Sequence, residues 1–178
     1  VVLIDSLVDK IIPRVFSGEV DFAVGPERDP NSEIISEPLF KGRFVAVFPA
    51  RHPLTKRRNI LHWMDIAAYP LITLRGEFTE RLRMDLRKVT GGVSLVPHRE
   101  VSFMSTALAM VSAGLGVTTC IEYAVPLVKQ HKLEMRRLIK PEVFRQFNVY
   151  TQKLRTLSPA AESFKDFVFQ YTDEKIWA

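Results

Sequence analysis

Three turns in this sequence carry residues that could bind an anion or a polar group of a small molecule. They are Asp5-Ser6, the segment from Arg75 to Thr79, and the segment from Ser102 to Ser105. Each follows a segment with the pattern of a strand and precedes one with the pattern of a helix. A helix N-terminus favours negative charge, because its first N–H groups lack partners and its dipole is positive there. Ordinary helix capping is the simpler interpretation of any one turn taken alone, so both interpretations stay open.

The second turn has the most distinctive chemistry. Arg75 offers a planar guanidinium that matches a carboxylate, and Gly76 lets the backbone approach a ligand closely. Phe78 and Phe103 could form apolar walls, although such residues also pack in cores. The predicted binding residues are Ser6, Arg75, Gly76, Phe78, Thr79, Phe103, Met104 and Ser105.

The sequence gives little support for a nucleotide-binding loop, a metal site or a catalytic motif. Gly114 and Gly116 follow a predicted helix and precede a strand, whereas a dinucleotide loop follows a strand and precedes a helix. These glycines are therefore predicted to end one element and begin the next. The four histidines are far apart in sequence, and neither a GxxxxGK[ST] loop nor a GxSxG elbow is present. We expect no metal, no cofactor and no enzyme activity.

Composition indicates a globular chain with no membrane segment. The 178 residues are 47% hydrophobic and 25% charged, and no apolar run approaches the roughly 20 residues needed to span a bilayer. The first residues lack the features of a signal peptide. Cys120 is the single cysteine, which favours a reducing cytoplasm, and a buried apolar role is predicted rather than a reactive thiol. The expected location is cytoplasmic.

The net charge of +5 is scattered along the sequence. Its densest run is 56–58, followed by Arg136-Arg137, and neither run alternates with aromatic residues. Solvated loop charge is the favoured interpretation, so this chain alone is predicted to be a poor DNA-binding protein.

The elements that position the three turns alternate between strand and helix. A strand at 1–4, a helix from Leu7 to Phe16 and a strand at 20–25 predict a right-handed βαβ unit. A surface connection is expected before a strand at 44–48. The remaining predicted strands are 69–74, 98–102, 117–121, 133–139 and 147–152, and the remaining helices are 77–89, 104–113, 123–130 and 159–171. This order predicts an open, mostly parallel α/β sheet.

Two strands do not fit easily into a single sheet. RFVAVFP and RQFNVYTQ are separated by about a hundred residues of α/β pattern, which predicts two lobes joined by two crossing strands. Lobe I is predicted to be 1–47 with 148–178, and lobe II to be 48–147. The hinge strands are expected at about 44–49 and 147–152.

Four phrases resemble those of the effector-binding domain of LysR-type transcriptional regulators, in the right order and spacing. They are SGEVDFAVG (17–25), EPLFKGRFVAVFPARHPL (37–54), DIAAYPLITL (65–74) and MVSAGLGVTTCIEYAV (110–125). The resemblance covers essentially the whole chain. It implies a type II periplasmic-binding-protein-like fold, in which two Rossmann-like lobes are joined by two crossover strands and an effector binds in the cleft.

The resemblance also implies partners. A small-molecule effector, a homodimer or homotetramer, no membrane, and DNA contact only through a missing N-terminal winged helix-turn-helix are expected. The first strand and helix of the domain are expected to be missing as well. Ser6 and the two second-lobe turns match ligand-contacting positions of the family, whereas Val8 replaces a common Ser or Thr. A solute-binding protein of a transport system, with the same fold, is the alternative.

Overall fold

A computed structural model describes residues 1–57, 60–90 and 95–175. The strands are β1 (Phe22–Pro26), β2 (Ile34–Pro49), β3 (Ile60–His62), β4 (Leu71–Leu74), β5 (Arg99–Val101), β6 (Val117–Ile121), β7 (Leu133–Ile139) and β8 (Phe144–Gln152). The α-helices are α1 (Ile11–Phe16), α2 (Trp63–Ala67), α3 (Glu77–Thr90), α4 (Met104–Ser112), α5 (Val125–Gln130) and α6 (Pro159–Lys175).

The chain forms two compact units. Unit 1 comprises 1–41 and 145–178, and unit 2 comprises 42–144. Strands β2 and β8 belong partly to each unit. The boundaries predicted from the sequence lie a few residues further along the chain.

Unit 1 is built on three neighbouring strands in the order β1-β8-β2. β1 is antiparallel to β8, with Ala23 opposite Tyr150. Tyr150 is buried with Ile11, Val15 and Ile34, and its Oη donates a hydrogen bond to the Pro26 carbonyl at 2.7 Å. That bond helps to satisfy the buried hydroxyl.

The prediction of a strand at 1–4 is wrong, and so is the βαβ unit built on it. Residues 1–7 have no regular secondary structure, and Val1 is 95% exposed. A β-branched sequence favours an extended backbone, but a strand also needs a neighbour for its N–H and C=O groups, and no described strand pairs with these residues. A short 3-10 turn at Val8–Lys10 leads into α1, where Pro13 lies in the first turn and removes no helical bond.

Unit 2 has the strand order β3-β7-β2-β6-β4-β5. β4 is parallel to both β5 and β6, and β3 is parallel to β7, whereas β2 is antiparallel to β6 and β7. Five of these six strands therefore run in the same direction, as predicted, and β2 is the exception. Ile72 on β4 packs with Ala107, Leu108 and Val111 of α4 in an apolar cluster of this unit. Burying a leucine, isoleucine or valine side chain contributes roughly 2 kcal/mol, which fixes α4 against the sheet.

Other predicted elements differ mainly at their ends. β6 and β7 have the predicted bounds, and α4 begins at the predicted Met104. β2 begins at Ile34, inside the predicted surface connection, and the predicted helix 123–130 divides into a 3-10 turn and α5. β3 and α2 were not predicted, because elements of three and five residues are too short to show a period.

The two glycines between α4 and β6 act as predicted. Gly114 has φ +76° and ends the helix, with its N–H donating to Val111 at 2.9 Å. Gly116 has φ +148°, and a Cβ there would lie 2.2 Å from the Pro70 carbonyl oxygen. That same oxygen accepts a hydrogen bond from Val117 at 2.9 Å, so it has little freedom to move.

Alanine substitutions should separate the cost of a positive φ, which both glycines have, from the cost of a clash with Pro70, which only Gly116 has. Gly114→Ala has no atom within 4 Å to meet, so it should lower the free energy of unfolding only by the strain of positive φ, about 1 to 2 kcal/mol. Gly116→Ala adds the clash with Pro70 and should cost roughly 3 kcal/mol or more. Urea unfolding of both variants measures the difference. Equal losses would contradict the contact with Pro70.

Candidate functional site

Parallel pairing of β4 with β5 brings two of the three predicted turns together. Leu74 lies opposite Val101, and the Arg75 N–H donates to the Val101 carbonyl at 2.9 Å. The turn at 75–79 and the turn at 102–105 are therefore neighbours at the carboxyl ends of adjacent parallel strands. Open α/β sheets bind ligands at this edge.

The turn after β4 has an exposed arginine, and the residues that follow it pack into the protein. Gly76 has φ +97°, and its carbonyl accepts hydrogen bonds from the N–H groups of Thr79 and Glu80, which begins α3. The Arg75 side chain is exposed, whereas Thr79 is buried. The Phe78 ring packs 5.6 Å from the ring of Phe44, so Phe78 belongs at least partly to the core.

The two helix N-termini differ in charge. Glu77 and Glu80 occupy the first turn of α3 and already offset the positive end of its dipole. The first turn of α4 contains no acidic residue, and its N-cap residue Phe103 makes no side-chain capping bond. The N-terminus of α4 is therefore better suited to an anionic group than that of α3.

The predicted residues at α4 are accessible to different degrees. Phe103 is 43% exposed and Ser105 is also exposed. Met104 is half-buried and packs against the apolar cluster under the helix. Phe103 and Ser105 can therefore contact a bound molecule directly, while Met104 supports the helix start.

Ser6 belongs to unit 1 and is far in sequence from these two turns, which belong to unit 2. It was expected directly after a strand, but residues 1–7 form none, and its Oγ donates to the neighbouring Leu7 carbonyl at 3.3 Å. The premise that a strand positions Ser6 is wrong. Its place in a binding site stays a prediction that depends on the family resemblance alone.

Thr73 is a buried polar residue close to Arg75 that the sequence did not single out. It lies two residues before Arg75 on β4 and is buried, and its Oγ1 makes no hydrogen bond to the described residues. A buried hydroxyl of this kind normally has a partner. Threonine is also a common strand former, so the sequence LITL carries no signal that separates this residue from its neighbours.

Cys120 behaves as the buried apolar residue that was predicted. It is 1% exposed within the apolar cluster of unit 2, and burial raises the pKa of its thiol to about 12. The thiolate is the reactive form of cysteine. At neutral pH this side chain therefore stays protonated and is unsuited to sensing oxidants. In the part of the chain that the structure describes, no group of three His, Cys, Asp or Glu residues could hold a metal ion.

Comparison with known sequences places the chain in a family. Residues 1–173 match the family described as the LysR substrate binding domain. The chain belongs to this family. It is 28% identical over 174 residues to the HTH-type transcriptional regulator YbhD of Escherichia coli, itself uncharacterised, covering 97% of this chain and 55% of that protein. The chain thus spans about half the length of the curated relatives it matches.

Solved structures confirm the fold class. The effector-binding domain of QuiR in complex with shikimate has a TM-score of 0.77 at 22% identity, covering 96% of this chain and 80% of that one. The regulatory domain of CcmR from Synechocystis PCC6803, in complex with 2-PG, also has a TM-score of 0.77, at 17% identity, with 96% and 82% covered. This LysR-type domain has the α/β, type II periplasmic-binding-protein-like fold that was predicted. The comparisons point to a regulator domain rather than an enzyme.

No helix among the described residues combines the length and apolar character needed to cross a membrane.

Burial of Cys120 predicts that the native protein resists thiol reagents. At pH 8 the folded chain should consume almost no DTNB over the time in which the urea-unfolded chain consumes one equivalent, since the thiolate is both rare and inaccessible. Absorbance of the released thiol measures this, and a Cys120→Ala variant gives the background. One equivalent consumed rapidly by the folded protein would contradict the burial.

Proposed function

We propose that this chain is the effector-binding part of a bacterial LysR-type transcriptional regulator. Family membership over residues 1–173 supports the class of protein. One observation supports the site: the backbone of the exposed Arg75 is bonded to Val101, at the end of the strand that leads into α4, and the α4 N-terminus has no acidic residue and no side-chain cap. The effector is a small organic molecule with a carboxylate or another anionic group.

Each group in the proposed site has a separate role. Arg75 binds the anionic group in a bidentate manner, and the first N–H groups of α4 supply further donors. Ser105 contributes a hydroxyl at the same turn, and Phe103 covers an apolar part of the effector. Gly76 keeps the backbone beside Arg75 open, while Phe78, Thr79 and Met104 hold the two turns in place.

In the intact regulator the effector acts by changing the balance between two states. It can shift that balance only by the difference between its affinities for them. DNA recognition belongs to a part of the regulator outside this chain, the regulator is an oligomer, and it acts in the cytoplasm, where the chromosome lies. An enzyme activity is not part of this proposal.

A thermal-shift screen tests the proposed ligand class. Small organic carboxylates, with shikimate as the first, should include one that raises the melting temperature. At 100 times its dissociation constant such a ligand stabilises the native state by about 2.7 kcal/mol, or roughly 5 to 10 °C for a chain of this size. Neutral amides of the same acids are the matched controls. Stabilisation by an amide as strong as that by its acid would contradict an anion site.

Substitution of Arg75 tests the proposed contact. Arg75→Ala should weaken binding of the carboxylate found in the screen by about tenfold or more, since a charge-assisted hydrogen bond contributes roughly 1.5 to 3 kcal/mol. Arg87→Ala removes an exposed cation near the other end of α3 and should leave the affinity unchanged. Isothermal titration calorimetry measures both variants. Unchanged affinity in Arg75→Ala rules out the contact.

A further inference from the structure

The charge of this protein is divided unevenly between its two units. Residues 42–144 contain 16 Arg and Lys against 8 Asp and Glu, a net charge of +8. Residues 1–41 with 145–178 contain 9 against 12, a net charge of −3, and the two values together give the +5 of the whole chain. The apparently scattered charge of the sequence is therefore concentrated in unit 2.

Strand direction defines a second edge of the unit 2 sheet, opposite the Arg75 turn. β4, β5 and β6 run in the same direction, so the segments that precede them lie at this edge, as do the C-terminal ends of α3 and α4. The end of β2 and the start of β7 lie there too, since Pro49 is opposite Leu133. Tight turns at 49–52 and 129–132 close this edge, through the bonds from His52 to Pro49 and from Lys132 to Lys129.

Among the residues that the structure describes, six exposed cationic side chains occupy these segments, and we call this surface the basic edge. Its members are Arg51, Arg87, Lys88, Arg99, Lys129 and Lys132. They come from separate connections in the sequence, and the sheet alone brings them to one edge.

The carboxylates that the structure describes near the basic edge do not balance its charge. Glu134 near the start of β7 pairs with Arg136 at 2.8 Å, and Glu100 on β5 pairs with Arg83 at 3.2 Å, so each has an arginine outside the set of six. Asp85 lies further back on α3 and is half-buried. The exposed charge of this surface is therefore positive.

Helix dipoles explain only part of this arrangement. Cations stabilise helix C-termini, and α3, α4 and α5 all end near this edge. Each C-terminus carries about half a negative charge at most, so the three together balance about 1.5 of the six positive charges. The positive charge that the helix dipoles leave unbalanced favours a polyanionic partner.

We propose that the basic edge binds the phosphate backbone of duplex DNA, without reading its sequence, beside the site that the intact regulator recognises. This inference rests on the proposed function, and it amends the expectation that DNA contact lies wholly outside this chain. No aromatic residue is among the six, so stacking on single-stranded bases is disfavoured. Exposed Arg and Lys side chains on a surface without free carboxylates are suited to phosphate contacts.

Fluorescence anisotropy tests the proposal with this 178-residue chain and a labelled duplex of arbitrary sequence. If about four phosphates are contacted, affinity should fall about a hundredfold between roughly 50 and 200 mM salt. The double variant Lys129→Glu with Lys132→Glu should bind about tenfold or more weakly at the lower salt concentration and show a smaller salt slope. Lys10→Glu with Lys153→Glu changes the net charge equally on exposed lysines of unit 1 and should change affinity about twofold or less.

Three outcomes would overturn the proposal. If the wild-type protein does not bind the duplex at low salt, the proposed interaction does not exist. If the two double variants weaken binding equally, the binding reflects the net charge of the protein and not the basic edge. Binding of an acidic polypeptide such as polyglutamate, without binding of duplex DNA, would assign the basic edge to a protein partner. Each failure is distinguishable from failure of the proposed function, because stabilisation by a carboxylate effector is measured separately on the same variants.

Discussion

The parallel pairing of β4 with β5 is the constraint on which both surfaces of unit 2 depend. Parallel strands need a crossover connection between them, which here is a helix: α3 follows β4 and α4 follows β5, and each begins at one edge of the sheet and ends at the other. The hydrogen bond from Arg75 to Val101 marks the first edge. Helix N-termini lie at that edge and helix C-termini at the opposite one. Strand direction thus sets the sign of the helix dipoles at each edge before any charged side chain is considered.

Side-chain charges adjust this arrangement at both edges. Arg83 bridges Glu80 on α3 and Glu100 on β5, which ties the helix to the strand beside it. Exposed pairs of this kind contribute about 0.2 to 1 kcal/mol each, so the network refines the position of α3 more than it stabilises the fold. The important difference lies between the helix starts: α3 begins with two glutamates, and α4 begins with none. An anion therefore has a preferred position in a pair of otherwise similar turns.

Sequence patterns predicted those elements whose own residues determine them. β6 and β7 have the predicted bounds, and the two glycines before β6 are required by backbone geometry at their own positions. Residues 1–4 have the composition of a strand, but a strand is completed by its neighbour, which local sequence does not specify. The candidate site likewise combines features set by local sequence with features set by tertiary pairing. Arg75 was predicted from its type and position and stays a prediction, whereas the burial of Thr73 and the gathering of six cations from separate connections depend on tertiary pairing.

The two proposed surfaces lie at opposite ends of the same helices, and this limits how they can influence each other. α4 has nine residues and is therefore about 13 Å long. Two unit charges at that separation interact by about 0.3 kcal/mol in water, and physiological salt, with a Debye length of about 8 Å, reduces this further. A bound carboxylate therefore cannot change phosphate binding appreciably by its field alone. Any coupling between effector and DNA in the intact regulator must come from a conformational equilibrium in which both ligands discriminate between the same states.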